Sequence, residues 1–368
     1  MIQQLVIVGA SIRAAVQSAR NAGIQAIGAD LFTDADCLAM NAGIVRLGFS
    51  DYPHGFLAIL RGYVGIPWLY SGGLENYADL IADACITNQL LGCQHPEQFR
   101  DPFLLQQQLL PYNVSFPEMS HSFPASGGEN WLFKKYHSSG GLGIVSANSS
   151  HGESGYYQKL LTGQVRSAAF LASKVMVNLL GVFQLYHQQT PDLPFLYAGN
   201  IGPVALSSIE SDFLDIIRQF IVEKSGLRGL FGVDYVIHEQ QCYLLEVNPR
   251  YTASMELWDA WSGKSAVGYH VQACLGKHVV PPSAKGNESL FAKKIIYAIT
   301  PLKVTRQMQQ SLPWWIDRKE DHAGQIHLAD IPQVGTVIEP GQPVCSVLFQ
   351  AKDEAEAETR FHDFVLDW

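Results

Sequence analysis

The segment LLEVNPRYTASME, residues 244–256, begins as an apolar strand and becomes polar within a few positions. An acid, Glu246, is followed within four residues by an amide, Asn248, and a base, Arg250. Such residues at the end of a buried strand raise the question of what they bind. The strand that precedes them in the chain suggests an answer.

The segment GLFGVDYVI, residues 229–237, is also apolar, and the following HEQQC predicts a β-hairpin with its turn around Gln240. In that register Asp234 lies directly opposite Glu246, with Cβ atoms about 5 Å apart. Asn248, two residues beyond Glu246, lies on the same face. The hairpin therefore brings two carboxylates and an amide together.

Like charges directly opposite each other destabilise a sheet, and a divalent cation between them would remove that conflict. Carboxylate and amide oxygens suit Mg²⁺, or Mn²⁺ in its place. The alternative is that lysine or arginine side chains pair with Asp234 and Glu246. A register shifted by one residue would also put the two carboxylates on opposite faces. Strand geometry alone favours neither the metal nor the ion pairs.

A glycine-rich loop in FKKYHSSGGLGI, residues 133–144, is a second candidate site. Its small residues expose backbone N–H groups that can form an anion nest, and Lys134 before it adds a charge suited to phosphate. The loop residues concerned are Ser139, Gly140, Gly141 and Gly143. The loop is not a Walker A motif, and a lone glycine-rich loop is more often a hairpin turn. The carboxylate pair further along the chain favours the phosphate interpretation.

Length and composition indicate the class of protein. The 368 residues are 47% hydrophobic and 16% charged, which is typical of a globular protein with more than one domain. The net charge of −9 argues against a nucleic-acid binder. The six cysteines are scattered, and no apolar run has membrane-spanning length. We therefore expect a cytoplasmic protein without nucleic-acid or membrane partners.

The chain opens with a strand, a helix and a strand in residues 3–32, which indicates an α/β fold with a parallel sheet. The pattern G-x-G-x-x-G is absent, so a nicotinamide-dependent oxidoreductase is a poor alternative. We place four units along the chain: an N-terminal α/β domain (1–95), a linker and glycine-rich lid subdomain (96–165), a lobe with the metal site (166–284) and a small β-rich C-terminal module (285–368).

Together these elements resemble the ATP-grasp superfamily. The order matches: a βαβ domain, a strand lysine with a glycine-rich lid, a hinge at YYQKLLTG, and the paired motifs GVDYVI and LLEVNPR. The resemblance covers roughly residues 1 to 280, and its specific part is E-V-N-P-R following V-D at this spacing. It implies an ATP-grasp fold with an N-terminal parallel-sheet domain and two α+β lobes around ATP.

The resemblance also implies roles for individual residues. The nucleotide would be bound by Lys134, Arg100, Ser139, Gly140, Gly141, Gly143, Gln158, Lys159 and Leu160, with the backbone of the last three near adenine. Mg²⁺ would be held by Asp234, Glu246 and Asn248. Arg250 would face the γ-phosphate or an acyl-phosphate and, with Lys134, would act in catalysis.

Three positions depart from the family pattern. A second lysine is usual before the lid, but TNQLLGCQHPEQFRDPF contains none and Arg100 is the substitute. Arginine does not replace lysine geometrically. The residue after Lys134 is commonly proline and is Lys135 here, and Lys159 stands where the hinge often has an acid.

Four segments are similar to a narrower ATP-grasp branch: GASIRAAVQSARNAG, ADLFTDAD, YSGGLEN and NPRYTASMELWD. That branch is grouped with one-carbon cofactor synthesis in methylotrophs and methanogens, and one relative joins glutamate to tyramine on the way to methanofuran.

Four polar residues of the first domain lie at strand ends or in the turns after them, where open α/β sheets bind ligands. They are Ser11, Arg13, Asp30 and Glu75. Arg13 would hold a substrate carboxylate and Glu75 an amine. The alternative for each is a cap or a salt bridge, which we favour for Asp30 and Glu75.

The resemblance implies an ATP- and Mg²⁺-dependent ligase that joins a small-molecule carboxylate to an amine through an acyl-phosphate, with release of ADP and phosphate. It also suggests a homodimer. The alternative is a nucleotide-binding protein without ligase activity, which the missing second lysine favours. A kinase-like transfer to a stable product uses the same groups and remains open.

Overall fold

The computed structural model of the chain describes residues 2–40, 43–125, 127–150, 152–188, 193–283, 289–316 and 326–364, with the backbone alone for 312–316. These residues form a parallel N-terminal sheet, a small antiparallel sheet and a large antiparallel sheet. The predicted α/β fold is therefore confirmed. No helix among the described residues has the length and apolar character needed to cross a bilayer.

The N-terminal sheet has the strand order β3-β2-β1-β4, and its strands are parallel. The strands pack closely, since a Cβ on Gly28 would lie 1.7 Å from the Ile7 carbonyl oxygen of the neighbouring strand. The carboxyl ends of all the strands consequently meet at one edge. The elements are β1 (Gln4–Val8), α1 (Arg13–Asn21), β2 (Gln25–Asp30), α2 (Ala35–Ala39), β3 (Gly43–Arg46), α3 (Gly55–Arg61), β4 (Trp68–Tyr70) and α4 (Ala78–Cys85).

The segment expected to be a linker contains two helices, which the Gln, Leu and Pro composition did not reveal. Asp101 caps the second one by accepting the backbone N–H groups of Phe103 and Leu104, and Leu105 and Leu109 are buried. The small sheet that follows has the order β5-β8-β6-β7. These elements are α5 (Glu97–Arg100), α6 (Pro102–Leu109), β5 (Met119–Ser120), β6 (Trp131–Lys135), β7 (Ile144–Ser146) and β8 (Gly155–Lys159).

The large sheet is built around a hairpin and a capped helix. Ser207 and Glu210 form a capping box at the start of the helix, a π-helical turn (Ile221–Ser225) continues it, and Gly226, with φ of 65°, follows that turn. Both ends agree with the sequence prediction. The elements are β9 (Gln164–Ala172), β10 (Val177–Gln188), β11 (Leu196–Gly202), α7 (Ser208–Phe220), β12 (Gly229–His238), β13 (Gln241–Asn248), α8 (Ala253–Ser262) and α9 (Ala266–Cys274).

The C-terminal residues extend this same sheet, whose order is β13-β12-β9-β10-β11-β14-β18-β16. The strands that follow the expected domain boundary near residue 285 therefore belong to the same sheet as the strands before it. The pairing of β14 with β11 could not be read from local patterns, because the partners are distant in sequence. The elements are β14 (Leu290–Tyr297), β15 (Leu302–Lys303), α10 (Arg306–Ile316), β16 (Ile326–Ala329), β17 (Val337–Ile338), β18 (Pro343–Ala351) and α11 (Glu354–Asp363).

Candidate active site

A cavity of about 560 Å³ lies between the N-terminal sheet, the small sheet and the large sheet. Its volume is within the range of small-molecule sites. Most of the residues expected to form the site line it, namely Ser11, Arg100, Lys134, Ser139, Gly140, Gly141, Gln158, Lys159, Leu160, Asp234, Glu246, Asn248 and Arg250. Arg13, Glu75 and Gly143 do not.

The hairpin places Asp234 of β12 directly opposite Glu246 of β13, as predicted. The predicted register is wrong nearer the turn, where Tyr235 pairs with Leu244 and Leu245 is an extra, bulged residue. The tight turn has Glu239 and Gln240 at positive φ, which shortens the loop by one residue relative to our expectation. The bulge restores the predicted pairing at the carboxylates.

Asn248 joins the two carboxylates. Its Nδ2 donates hydrogen bonds to Asp234 Oδ2 (3.1 Å) and to Glu246 Oε1 (3.0 Å). Arg100 Nη1 donates to Glu246 Oε2 (2.9 Å) and to Asn248 Oδ1 (3.0 Å). The ion-pair alternative thus holds for Glu246, whereas Asp234 has no ion pair with a cationic side chain of the described residues.

The two carboxylates differ in protonation. Burial and the charge of Glu246 raise the pKa of Asp234 to about 8. Burial opposes ionisation of Glu246 too, but Arg100 and Lys134 outweigh it and hold the pKa of Glu246 well below its usual value. One positive charge is therefore missing beside Asp234. Two facing carboxylates and an amide fit a small divalent cation, which keeps its other positions for water and phosphate oxygens.

Lys134 and Gln158 form a polar pair on the small sheet. Lys134 Nζ donates to Gln158 Oε1 (2.9 Å), and burial lowers the pKa of Lys134. Gln158 is 2% exposed, and its Nε2 has no hydrogen-bond partner among the described residues. An unpaired buried donor is costly, so a ligand acceptor in the cavity would stabilise it.

The glycine-rich loop lies against β11. Tyr197 N–H donates to the Gly140 carbonyl (3.1 Å), and a Cβ on Gly141, which has φ of 79°, would lie 1.8 Å from the Phe195 carbonyl oxygen. Only glycine allows this approach. The Ser138 carbonyl accepts from Asn76 Nδ2 (3.3 Å) and Arg100 Nη2 (3.3 Å). The loop therefore bridges the N-terminal domain and the large sheet, in a closed arrangement over the cavity.

The hinge lines the cavity, and two of its backbone N–H groups have partners within the protein. The N–H of Lys159 donates to the Glu118 carbonyl (2.8 Å), and the N–H of Leu160 donates to the Asn130 carbonyl (2.7 Å). These two N–H groups are committed within the protein, because β8 runs beside β5 and β6. Lys159 Nζ lies 3.7 Å from Glu118 Oε2, which brings an acid to the hinge from a neighbouring strand.

The residues expected to bind substrate in the first domain have other partners. Arg13 is 4% exposed and forms ion pairs with Glu256 (2.5 Å) and Asp330 (2.8 Å) rather than facing the cavity. Glu75 is 1% exposed and pairs with Arg250, with Arg250 Nε 2.7 Å from Glu75 Oε1. Glu75 therefore forms a salt bridge with Arg250, which is the alternative that we favoured.

Ser11 lies at the cavity and accepts a hydrogen bond on its carbonyl from Ser71 Oγ (2.7 Å). Asp30 accepts the backbone N–H groups of Ile12, Phe32 and Thr33, which is the capping role that we favoured.

Sequence reasoning missed part of the cavity wall. Asp34, Lys293 and Asp330 line the cavity, the first from the N-terminal domain and the others from the C-terminal strands. Lys293 and Asp330 belong to no motif that we recognised, whereas Asp34 lies in the ADLFTDAD segment but was given no role. The position of Asp34 in the turn between β2 and α2 was the available signal.

Comparison with known proteins defines the class. Residues 100–254 match the family model of the ATP-grasp domain. The overall structure is the ATP-grasp fold.

Three solved structures illustrate the likeness. N5-carboxyaminoimidazole ribonucleotide synthetase of Thermus thermophilus has a TM-score of 0.70 at 14% identity, covering 99% of each chain. N5-carboxyaminoimidazole synthetase of Staphylococcus aureus complexed with ADP has a TM-score of 0.71 at 13% identity, covering 98% of this chain and 96% of the other. The biotin carboxylase domain of Hydrogenobacter thermophilus 2-oxoglutarate carboxylase, with MgADP, ADP and bicarbonate, has a TM-score of 0.71 at 14% identity, covering 96% and 87%.

An uncharacterised protein of Methanocaldococcus jannaschii is 27% identical over 154 residues, which is 42% of this chain. The chain spans only a third of that relative's length.

Proposed function

We propose that the protein is an ATP- and Mg²⁺-dependent ligase that joins a carboxylate to an amine and releases ADP and phosphate. The observation that carries this proposal is the bridge from Asn248 to Asp234 and Glu246 at the cavity wall. A magnesium ion held there would neutralise phosphate charge. Structural neighbours in complex with ADP or MgADP support the choice of nucleotide.

Each residue then has a defined task. Asp234, Glu246 and Asn248 would hold Mg²⁺. Lys134 and the glycine-rich loop would hold the phosphates, and Gln158 Nε2 would donate to the nucleotide. Arg250, fixed by Glu75, would face the transferred phosphoryl group. Such catalysis depends on positioning and charge neutralisation, with little covalent chemistry for the protein to perform.

The carboxylate substrate would attack the γ-phosphate, so that an acyl-phosphate forms and ADP leaves. The amine would then attack the acyl carbon, the new C–N bond would form, and phosphate would leave. A reaction that released AMP would contradict this order. The lid residues and Arg100 close the cavity and would exclude water from the acyl-phosphate.

The test is release of ADP with Mg²⁺-ATP and pairs of acids and amines. The narrower likeness to one-carbon cofactor proteins selects glutamate with tyramine as the first pair, followed by other amino acids and amines. Turnover should require both substrates, and Glu246→Gln should reduce it on the order of 100-fold or more. Glu239→Gln is the matched control, since Glu239 lies at the exposed hairpin turn.

One observation favours the alternative of nucleotide binding without ligation. Arg100 Nη1 donates to Glu246 Oε2 and Asn248 Oδ1, two oxygens of the proposed metal ligands. If that contact persisted with nucleotide bound, ATP would bind without turnover of any acid and amine. Calorimetry with ATP, run beside the turnover assay, separates the two functions.

A further inference from the structure

The cavity has a second half, away from Lys134 and Gln158. The carboxyl edge of the N-terminal sheet forms one wall with Ser11, Phe32 and Asp34. The C-terminal strands form the other with Lys293 and Asp330. Gly72, at the carboxyl edge of the N-terminal sheet, also lines the cavity, and a Cβ there would lie 3.6 Å from the Arg250 guanidinium carbon. A second substrate placed here would reach the residue proposed to face the acyl-phosphate.

Asp34 differs from every other carboxylate of this wall. It is 6% exposed and lines the cavity, and its carboxylate has no hydrogen bond or ion pair with any residue that the structure describes. It stands at the start of α2 without capping that helix. An unpartnered carboxylate, nine-tenths buried and facing a cavity, is costly unless a ligand completes it.

The position of Asp34 is rigid. The backbone N–H of Ala35 donates to the Ile331 carbonyl (2.7 Å). The N–H groups of Asp330 and Ile331 donate to the two Asp36 oxygens at 3.1 and 2.9 Å. The two residues that follow Asp34 are therefore tied to the C-terminal turn, which fixes the backbone beside Asp34.

The neighbouring cations are already committed. Arg13 pairs with Asp330, Glu256 and Asp36. Lys293 pairs with Glu256 (2.8 Å) and Asp330 (3.1 Å). The wall therefore carries more carboxylates than cations, and Asp34 is the one left without a partner.

Burial and the neighbouring carboxylates all raise the pKa of Asp34. Burial is the main cause, and Asp330, Asp30 and Asp36 add to it, so that the pKa of Asp34 rises to about 8 against the weaker opposing effect of Arg13. The missing element in this half of the cavity is a positive charge.

We propose that Asp34 binds the ammonium group of the amine substrate, and that this half of the cavity is the amine site. The inference rests on the proposed ligase function, whose amine it locates. Phe32 and Phe49 pack edge to face at 6.1 Å beside the site and both line the cavity. They offer an apolar wall for the body of the amine.

The first test is calorimetry at pH 7 with n-propylamine, putrescine and phenethylamine, each beside the alcohol that replaces its amino group. The protein is the full chain with a non-hydrolysable Mg²⁺-ATP analogue. At least one amine should bind with release of a proton, seen as a dependence of the binding heat on the buffer, because ammonium pairing ionises Asp34. The matched alcohols should not release a proton.

Asp34→Asn should weaken amine binding at least tenfold and abolish proton release, while ATP-analogue affinity is unchanged. Asp83→Asn, at an exposed position of α4, is the matched control. If Asp34→Asn fails to fold in a thermal melt, Asp34→Ser replaces it. Equal amine affinity in the variant and wild type, or no binding of any amine to wild type, would overturn the assignment.

The outcomes separate this inference from the proposed function. Amine binding that depends on Asp34, with no turnover on any acid and amine pair, would overturn the ligase and keep the site. Turnover with an amine KM unchanged in Asp34→Asn would keep the ligase and overturn the site.

Discussion

Arg100 and Glu246 form an ion pair across the cavity, with Arg100 Nη1 2.9 Å from Glu246 Oε2. The guanidinium also reaches Asn248 and the Ser138 carbonyl of the lid. A single arginine thus connects the proposed metal ligands with the loop that covers the cavity. A change at Arg100 should therefore affect both the proposed metal ligands and the lid.

We expect Arg100→Gln to bind Mn²⁺ more tightly in the absence of nucleotide. The cation no longer has to displace a charged hydrogen bond from Glu246, which corresponds to roughly tenfold in affinity. ATP should bind more weakly, since the variant loses a cation in the cavity. Titration with Mn²⁺ followed by electron paramagnetic resonance measures the first effect. Arg61→Gln, on the exposed face of α3, is the control, and an unchanged Mn²⁺ affinity in Arg100→Gln would contradict the expectation.

Substitution of Gly141 should impair the lid. A Cβ at Gly141 would collide with the Phe195 carbonyl, whereas a Cβ at Gly140 meets no atom within 4 Å. Gly141→Ala should raise the KM for ATP at least tenfold and make the loop sensitive to protease. Gly140→Ala shares the left-handed backbone, with φ of 63°, and should cost only about 1 kcal/mol of local strain. Similar effects of the two substitutions would mean that backbone strain, not the contact with β11, controls the loop.

Glu75→Gln should destabilise the fold and disorder Arg250. Glu75 is buried against Arg250, which is itself largely buried. Removing one partner of a buried ion pair leaves the other charge uncompensated, at a cost of about 3 kcal/mol. Urea unfolding measures the free energy, and kcat should fall with it because Arg250 loses its orientation. Glu97→Gln, at an exposed glutamate, is the control. Unchanged stability would show that Arg250 finds another partner.

The stability of the protein should depend on pH through Asp34. Its pKa is about 8 in the folded protein and about 4 when unfolded. Between these values the native state binds the extra proton, so the free energy of unfolding decreases as pH rises from about 4 to about 8. Asp34→Asn should lack this decrease and gain stability relative to wild type over that range, by at most about 1.4 kcal/mol per pH unit. Denaturant unfolding of both proteins between pH 5 and pH 9 measures it.

Parallel pH profiles for wild type and Asp34→Asn would mean that Asp34 is ionised in the folded protein without a ligand. Asp83→Asn should follow wild type throughout, because Asp83 is exposed.

Several parts of the site could be predicted because they depend on local patterns. The alternation of apolar residues and the turn at residues 239 and 240 determine that Asp234 faces Glu246. The glycines of the lid follow from their own backbone requirement, as Gly141 shows. The bulge at Leu245 could not be predicted in the same way, since it depends on which two residues form the turn.

Other parts depend on contacts between distant segments. Arg13 follows a strand end of the kind that binds ligands in open α/β sheets. Its guanidinium instead donates a hydrogen bond to Asp330, which is 317 residues away in the sequence. The N–H groups of Lys159 and Leu160 donate to the Glu118 and Asn130 carbonyls, which lie on segments some 30 to 40 residues earlier in the chain.

By itself the sequence determined the α/β class, the hairpin with its facing carboxylates, the capped helix α7 and the glycine-rich loop. Each of these follows from residue spacing and backbone preference over a few positions. Only the tertiary structure decided that Arg100 meets Glu246 across 146 residues and that Arg250 meets Glu75 across 175. The same holds for the C-terminal strands that complete the cavity around Asp34. Burial forces charged groups to find partners, and which partner lies in reach is set by how the sheets pack, which no local pattern encodes.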